Sequence, residues 1–473
     1  MIDAVVLGAY FSLMLLVGWR LRHQSAESYW VAGRAGGTGA ITASLVATVF
    51  GASSTLGIIG LGYSRGLTAA WWSMTGGFAL IPFGLFLAAR VRDRGVYTLP
   101  DILKRAYGDR VAVPAGVVIA ISWCGVIAAQ MIAGGRLLGG IFPLSFQQSV
   151  ALVAVVFVLY TFWGGQVSVI RTDLWQLVLF VGALLVVLTL LLVSFENGAF
   201  SWTDIPADHW RFPVSPSFGW YDVLIFYPLV LGLPYLVGPD IYSRVLCARD
   251  NRVARRSALW AASVVVPVSV LLALLGLLLG GAFPDLTPET ALPTAISHFV
   301  PVGAQGLIIA GFLGAVMSSA DTTLMSAATI LSVNVIGPLG GLSKQKQWKL
   351  TRVALVAVGG AAWLLAGFQE GIIASLILAF TVLVGGVAVP TLAGLFPGQF
   401  KVTPNGAMWA VGSGGALAVL AQIQDGVFLN ALLTERGDAL LIRVLGPQYP
   451  SFLPVVLSFV VMMAVSRIER RER

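Results

Sequence analysis

The chain predicts an all-α polytopic membrane protein with about thirteen transmembrane helices, and three features of the sequence carry that prediction. Of 473 residues, 58% are hydrophobic and only 11% are charged, with a mean hydropathy of +0.88. A soluble domain carries about 25% charged residues. Apolar segments of about 20 residues, long enough to cross a bilayer as helices, recur along the whole chain. Lys and Arg collect in the short connections between these segments, on alternate ones. The net charge of +8 therefore speaks for membrane orientation and not for nucleic acid. Cys124 and Cys247 lie far apart, in or beside apolar segments, which fits neither a disulfide framework nor a metal site. His23, His209 and His298 all fall outside the spans, and no nucleophile–base–acid set is present, so an enzyme is not indicated.

The spans fall near residues 2–21, 38–62, 67–90, 112–139, 147–163, 170–195, 221–241, 257–281, 304–333, 351–368, 370–396, 405–424 and 450–466. The first has no basic region before it and no small-residue cleavage site, so it is expected to be retained. With the N-terminus outside, all but five of the 29 Lys and Arg residues fall on the cytoplasmic side, Arg171 and Arg244 among them. The five are Arg65, Arg136, Arg211, Arg436 and Arg443. The C-terminus is then cytoplasmic, the lipid bilayer is the cell membrane, and no soluble domain is expected after the last span. Between spans, VYTLPDILKRAYGDR is expected to form a short amphipathic helix on the inner face. Residues 282–303 are expected to form a lid over the ninth span, and 196–220, with Trp202, Trp210 and Trp220, an interfacial belt.

Two spans are interrupted. The second carries Gly51, Ser53 and Ser54 at its middle, and the seventh carries Gly232, Pro234, Gly238 and Pro239. Such residues free backbone carbonyls, which membrane depth tolerates only around a cavity or an ion. The two spans are five apart and run in opposite directions. That matches a 5+5 inverted repeat with its site where the breaks meet. The chain then divides into an extra N-terminal helix and loop (1–37), a first repeat (38–195), a second repeat (221–396) and extra C-terminal helices (405–473), all within one transporter domain.

The ninth span is the most polar at its centre. Residues 311–336 are apolar enough to cross, yet carry Ser318, Ser319, Asp321, Thr322, Thr323 and Ser326. An Asp at that depth costs about 2.5–3.5 kcal/mol and normally faces the protein interior. Ala315, Ser318, Ser319 and Thr322 follow i, i+3, i+4, i+7 spacing and share one face, which Asp321 borders. Several oxygens on one face suit a small hard cation. The alternative is that the hydroxyls bond back to their own helix and let neighbours pack closely.

SYWVAGRAGG after the first span, SLVATVFGASSTLGIIGLGYSRG in the second, YTFWGGQVSVIRTDLWQ into the sixth and AVMSSADTTL in the ninth resemble the sodium:solute symporters. That family includes bacterial proline, galactose and sialic acid transporters. The basic tract SRVLCARDNRVARRS also fits. The resemblance implies a LeuT-type core in spans two to eleven, with one extra N-terminal and two extra C-terminal helices. It implies Na+ as coupling ion, held by the carbonyls of Ala47 and Phe50 with Ala315, Ser318 and Ser319 opposite. For a second candidate cation site, found in some members, the matching positions are Asp173, Ser318, Asp321 and Thr322. Asp321 is a carboxylate where at least one such member has a hydroxyl. An alternative role for Asp173 is a surface salt bridge with Arg171.

The expected activity is sodium-coupled symport of a small organic solute into the cell by alternating access. Candidate solute contacts are Ser53, Ser54, Trp71, Trp72, Ser73, Gln130, Tyr235, Phe380 and Thr381. For each alone, helix packing is the rival explanation. Ser73 stands where a galactose carrier has an acid, and the eighth span has no long polar side chain. A buried sugar needs many paired hydrogen bonds, so a monocarboxylate or an amino acid is expected instead. Spans two, three, seven and eight contain no internal Lys or Arg, which leaves a half-helix N-terminus to hold a carboxylate. The rivals are a proton-coupled carrier using Asp173 or Asp321, and a solute-sensing membrane domain, a type usually followed by a kinase. The alternation of basic residues makes a direct prediction. Cysteines placed within 344–349 should label only from the cytoplasm and those within 285–298 only from outside; labelling of both from one side would end the thirteen-span topology.

Overall fold

The computed structural model describes residues 2–368, 371–422 and 448–472, and the regular elements in it are helices. Arg436 and Arg443, expected outside, and Arg473, expected inside, lie beyond the described residues. Nine helical stretches among the described residues are long and apolar enough to cross a membrane. Two of these contain two predicted spans each. Ser53–Asp93 joins the outer half of the second span to the third through a turn at Gly66. Phe146–Glu196 joins the fifth and sixth across Gly165, whose φ of 53° and ψ of −159° suit glycine alone. The chain folds back there. Tyr160 and Thr172 would be about 18 Å apart along a straight helix, yet their hydroxyls lie 2.6 Å apart. Helices Pro404–Gln422 and Leu453–Glu472 pack together at the last two predicted spans.

The connections segregate as the basic residues require. Arg34 donates to the carbonyls of Leu246 and Val96, and Gly36 pairs with the Cys247–Arg249 backbone. Arg352 donates to the carbonyl of Arg22. All of these belong to predicted inner loops. Asp250, in the same group, accepts from the Val253 N–H and starts the Asn251–Ala282 helix; this bond holds its carboxyl below the usual range. At the other end, Tyr63 donates to the carbonyls of Phe283 and Leu286, and Trp71 donates to Pro213.

Gln305–Ile330, the predicted ninth span, is the axis of the molecule. In its apolar stretch 94% of residues are buried, against 33% for Ile2–Arg20. It packs on Phe146–Glu196, Asp109–Gly139 and Ile2–Arg20. Asp3 caps its start, accepting from the N–H groups of Gly303 at 2.9 Å and Gly306 at 2.7 Å. Its far end is tied to the amphipathic helix expected after the third span, Leu99–Tyr107. There Asn334 donates to Asp101 and accepts from Thr98, the residue that caps that helix. The expected outer lid is the helix Pro288–Phe299. It lies chiefly on Ile58–Arg65, the outer half of the second span, and less on the ninth. Trp202, Trp210 and Trp220, expected to form an interfacial belt, are exposed.

Candidate ion and solute site

Helix Thr38–Val49 stops at Phe50, and the chain resumes helical geometry only near Ser53. Four carbonyls lose their partners as a result. Among the described residues no backbone N–H reaches the oxygens of Ala47, Thr48, Val49 or Phe50. Side chains take over three of them. Ser319 Oγ lies 3.1 Å from the Ala47 oxygen and 2.8 Å from that of Thr48. Ser54 donates to Val49 at 2.7 Å. Gly51 lets the ninth-span helix come this close, because a Cβ there would sit 2.6 Å from Ser319 Oγ and 2.7 Å from the Gln130 amide. Gln130 in turn accepts the Ala52 N–H at 2.6 Å. Ala315 and Ser318 are buried on the same helix. Of the residues expected for sodium, the structure brings Ser319 against the carbonyl of Ala47, adds that of Thr48, and leaves the Phe50 carbonyl without a backbone partner. Hard oxygen donors dominate this neighbourhood, which suits sodium.

The back-bonding alternative holds for part of the cluster. Thr322 donates to Ser318 at 2.7 Å and Thr323 to Ser319 at 2.9 Å, each within its own helix. Ser318 instead reaches across to Asp173 Oδ1 at 2.6 Å. Asp173 also accepts from Ser44.

The expected second cation site contains a residue that the sequence reading sets in an inner loop. Arg244 was placed among the inner-loop basic residues, and the seventh span was expected to hold no internal cation. Arg244 is fully buried instead, 3.4 Å from the equally buried Asp173. It also bonds to Thr322 and Thr48. Asp173 therefore pairs with Arg244 and not with Arg171, which is exposed. Of the four expected ligands, Asp173 and Thr322 contact a guanidinium, and Ser318 bonds to the other oxygen of Asp173. The fourth, Asp321, faces away, accepting from Thr161 at 2.8 Å, with its second oxygen unpartnered. A buried carboxylate needs a compensating charge. A guanidinium can answer it because its planar fork serves several acceptors at once. That partner is hard to see in sequence because Arg244 opens a run of surface arginines.

A small cavity lies beside the break. Of the expected solute contacts, Ser53, Gln130, Tyr235 and Phe380 line it. Ser54 and Ser73 bond to each other at 2.6 Å. Trp71 is stacked on Phe212 and Trp72 packs edge-on to Tyr227. Thr381 is one position past the lining residue Phe380, and its hydroxyl is buried without a partner. Sequence reasoning missed Trp123, Leu376 and Asp240. Trp123 precedes Gln130 by seven and Leu376 precedes Phe380 by four, so helical spacing from the residues already found would have reached both.

A broken transmembrane helix with free carbonyls, facing hydroxyls on a buried helix, defines the class of secondary transporters. A family model described as the sodium:solute symporter family matches residues 29–414, and the chain belongs to that family. Sodium is its coupling ion. A sodium/glucose cotransporter of Vibrio parahaemolyticus is 26% identical over 479 residues, spanning 91% of this chain and 85% of the relative. The high-affinity choline transporter 1 of Drosophila melanogaster is 28% identical over 385 residues, 76% of this chain and 61% of the relative. A solved Na+-coupled sialic acid symporter, substrate-bound and outward-open, shares the fold at a TM-score of 0.75 and 17% identity, covering 99% of this chain and 98% of its own. MHP1, a nucleobase-cation-symport-1 family transporter in a closed conformation, does so at 0.63 and 12% identity, covering 93% and 95%.

The Asp173–Arg244 pair makes a quantitative prediction. Arg244→Gln leaves a buried carboxylate uncompensated and should cost about 3–5 kcal/mol. Adding Asp173→Asn should recover much of that loss. Thermal melting of the purified single and double variants measures it; strictly additive losses would show that the pair is not coupled.

Proposed function

We propose that the protein imports a small organic solute together with one sodium ion, by alternating access around the break of the second span. The observation that carries this is the set of four carbonyls without backbone partners at the break, two of which, those of Ala47 and Thr48, face the Ser319 hydroxyl. One sodium is proposed because Arg244 supplies the positive charge at the second candidate site. The grouping of the basic loops at one end supports an external N-terminus in the cell membrane, and the paired breaks support a 5+5 repeat within thirteen spans. Relatives bear the names of glucose and choline transporters, so family alone leaves the solute open.

One charge crossing about 100 mV yields about 2.3 kcal/mol. A tenfold sodium gradient adds about 1.4 kcal/mol. Together they support roughly 500-fold accumulation.

Uptake into proteoliposomes from a panel of labelled amino acids, carboxylates, vitamins and sugars should rise with an inward sodium gradient. Ser319→Ala should weaken sodium activation about ten- to a hundred-fold, the effect of losing a ligand worth about 1.5–3 kcal/mol. Solute affinity at saturating sodium should change little. Uptake driven by external acid without sodium would favour the proton-coupled rival, and an unchanged sodium curve in the variant would move the ion site elsewhere.

A further inference from the structure

The cavity carries a carboxylate that the ion site does not use. Asp240 opens the half-helix Pro239–Leu246 just past the break of the seventh span, and it lines the cavity with Trp123, Tyr235 and Phe380. The backbone leaves room for it, since a Cβ on Gly238 would lie 2.5 Å from Asp240 Oδ1. Among the described residues no Lys, Arg or His forms an ion pair with Asp240. Arg244, one turn further along, is committed to Asp173. No basic residue lines the cavity.

A carboxylate in such a place calls for a positive partner. Aromatic rings attract the same kind of charge, because their faces are negative. The cavity also holds a donor in want of an acceptor: the indole N–H of Trp123 is buried and unpartnered. We propose that the solute bears an ammonium group, protonated or quaternary, seated against Asp240 and the three aromatic rings, and an oxygen acceptor that reaches Trp123. Small amino alcohols, betaines and amino acids have this form. A monocarboxylate without an amine does not, because Asp240 would repel it. In the conformation seen, the cavity volume is about 40 Å3, room for a few waters. The site must therefore widen to admit the solute. This inference rests on the symport reading and narrows its substrate.

Solid-supported membrane currents from reconstituted protein test it, with choline, glycine betaine, L-proline, lactate and galactose as probes. In sodium, at least one of the first three should give a current, and lactate and galactose none. For the active probe, Asp240→Asn should raise the half-saturating concentration at least tenfold. Sodium should still raise the melting temperature of that variant, showing that it is folded with its ion site intact. Trp123→Phe, which keeps a ring and removes the donor, should weaken the same probe severalfold. Currents from lactate or galactose alone, or wild-type affinity in Asp240→Asn, would overturn the inference and leave sodium symport standing. If Asp240→Asn does not fold, the wild-type panel still decides. Uptake of an ammonium probe without sodium would support the inference and overturn the coupling on which it rests.

Discussion

Asp173 has no contact with solvent, and its charge must be matched where it sits. Three other stretches of chain meet around it. Ser44 comes from the inner half of the second span, Ser318 from the ninth, and Arg244 from the half-helix after the second break, while Asp173 itself belongs to the sixth span. A charged hydrogen-bond network of this kind is intolerant of slippage, because losing any partner strands a charge in a low-dielectric interior. It therefore holds the two broken helices and the ninth-span helix in register. The proposed sodium site inherits that register: Ser318 faces Asp173 while its neighbour Ser319 faces the carbonyls of Ala47 and Thr48.

The same pairing bears on mechanism. Alternating access requires the elements on either side of the site to move against each other. Thr48 lies in the segment proposed to offer carbonyls to the ion, and its hydroxyl also accepts from Arg244. At the proposed site, ion and guanidinium would act on one short stretch. Asp321 stands apart from this network, bonded to Thr161 on the return of the fifth span.

Much of this was legible in sequence because membrane burial makes polarity conspicuous. Ser318 and Ser319 stand out in an apolar run, and Gly51 marks a break in a helix that has every other reason to continue. Span positions follow from hydropathy, including the pair in Phe146–Glu196 that a single glycine folds back. Arg244 was not legible. One local signal precedes it, the Gly238–Pro239 restart of the helix, while everything after it resembles an inner loop. Its burial comes from a tertiary partnership with Asp173, 71 positions earlier in the numbering, and no local pattern encodes that distance. Asp240 was overlooked for a related reason. Adjacent to Pro239, it reads as part of the break, and only the packing of Tyr235, Trp123 and Phe380 around one cavity gives it a role.

The account stands or falls on a single sodium ion at the break. Equilibrium binding of 22Na+ to the purified protein measures this most directly. It should saturate at about one ion per chain, the number expected when an internal cation already compensates the nearby carboxylate. Binding should fall sharply in Gly51→Ala, whose added Cβ would press on Ser319 Oγ. Saturation at two ions per chain would contradict the role given to Arg244, and full binding in Gly51→Ala would contradict the site itself.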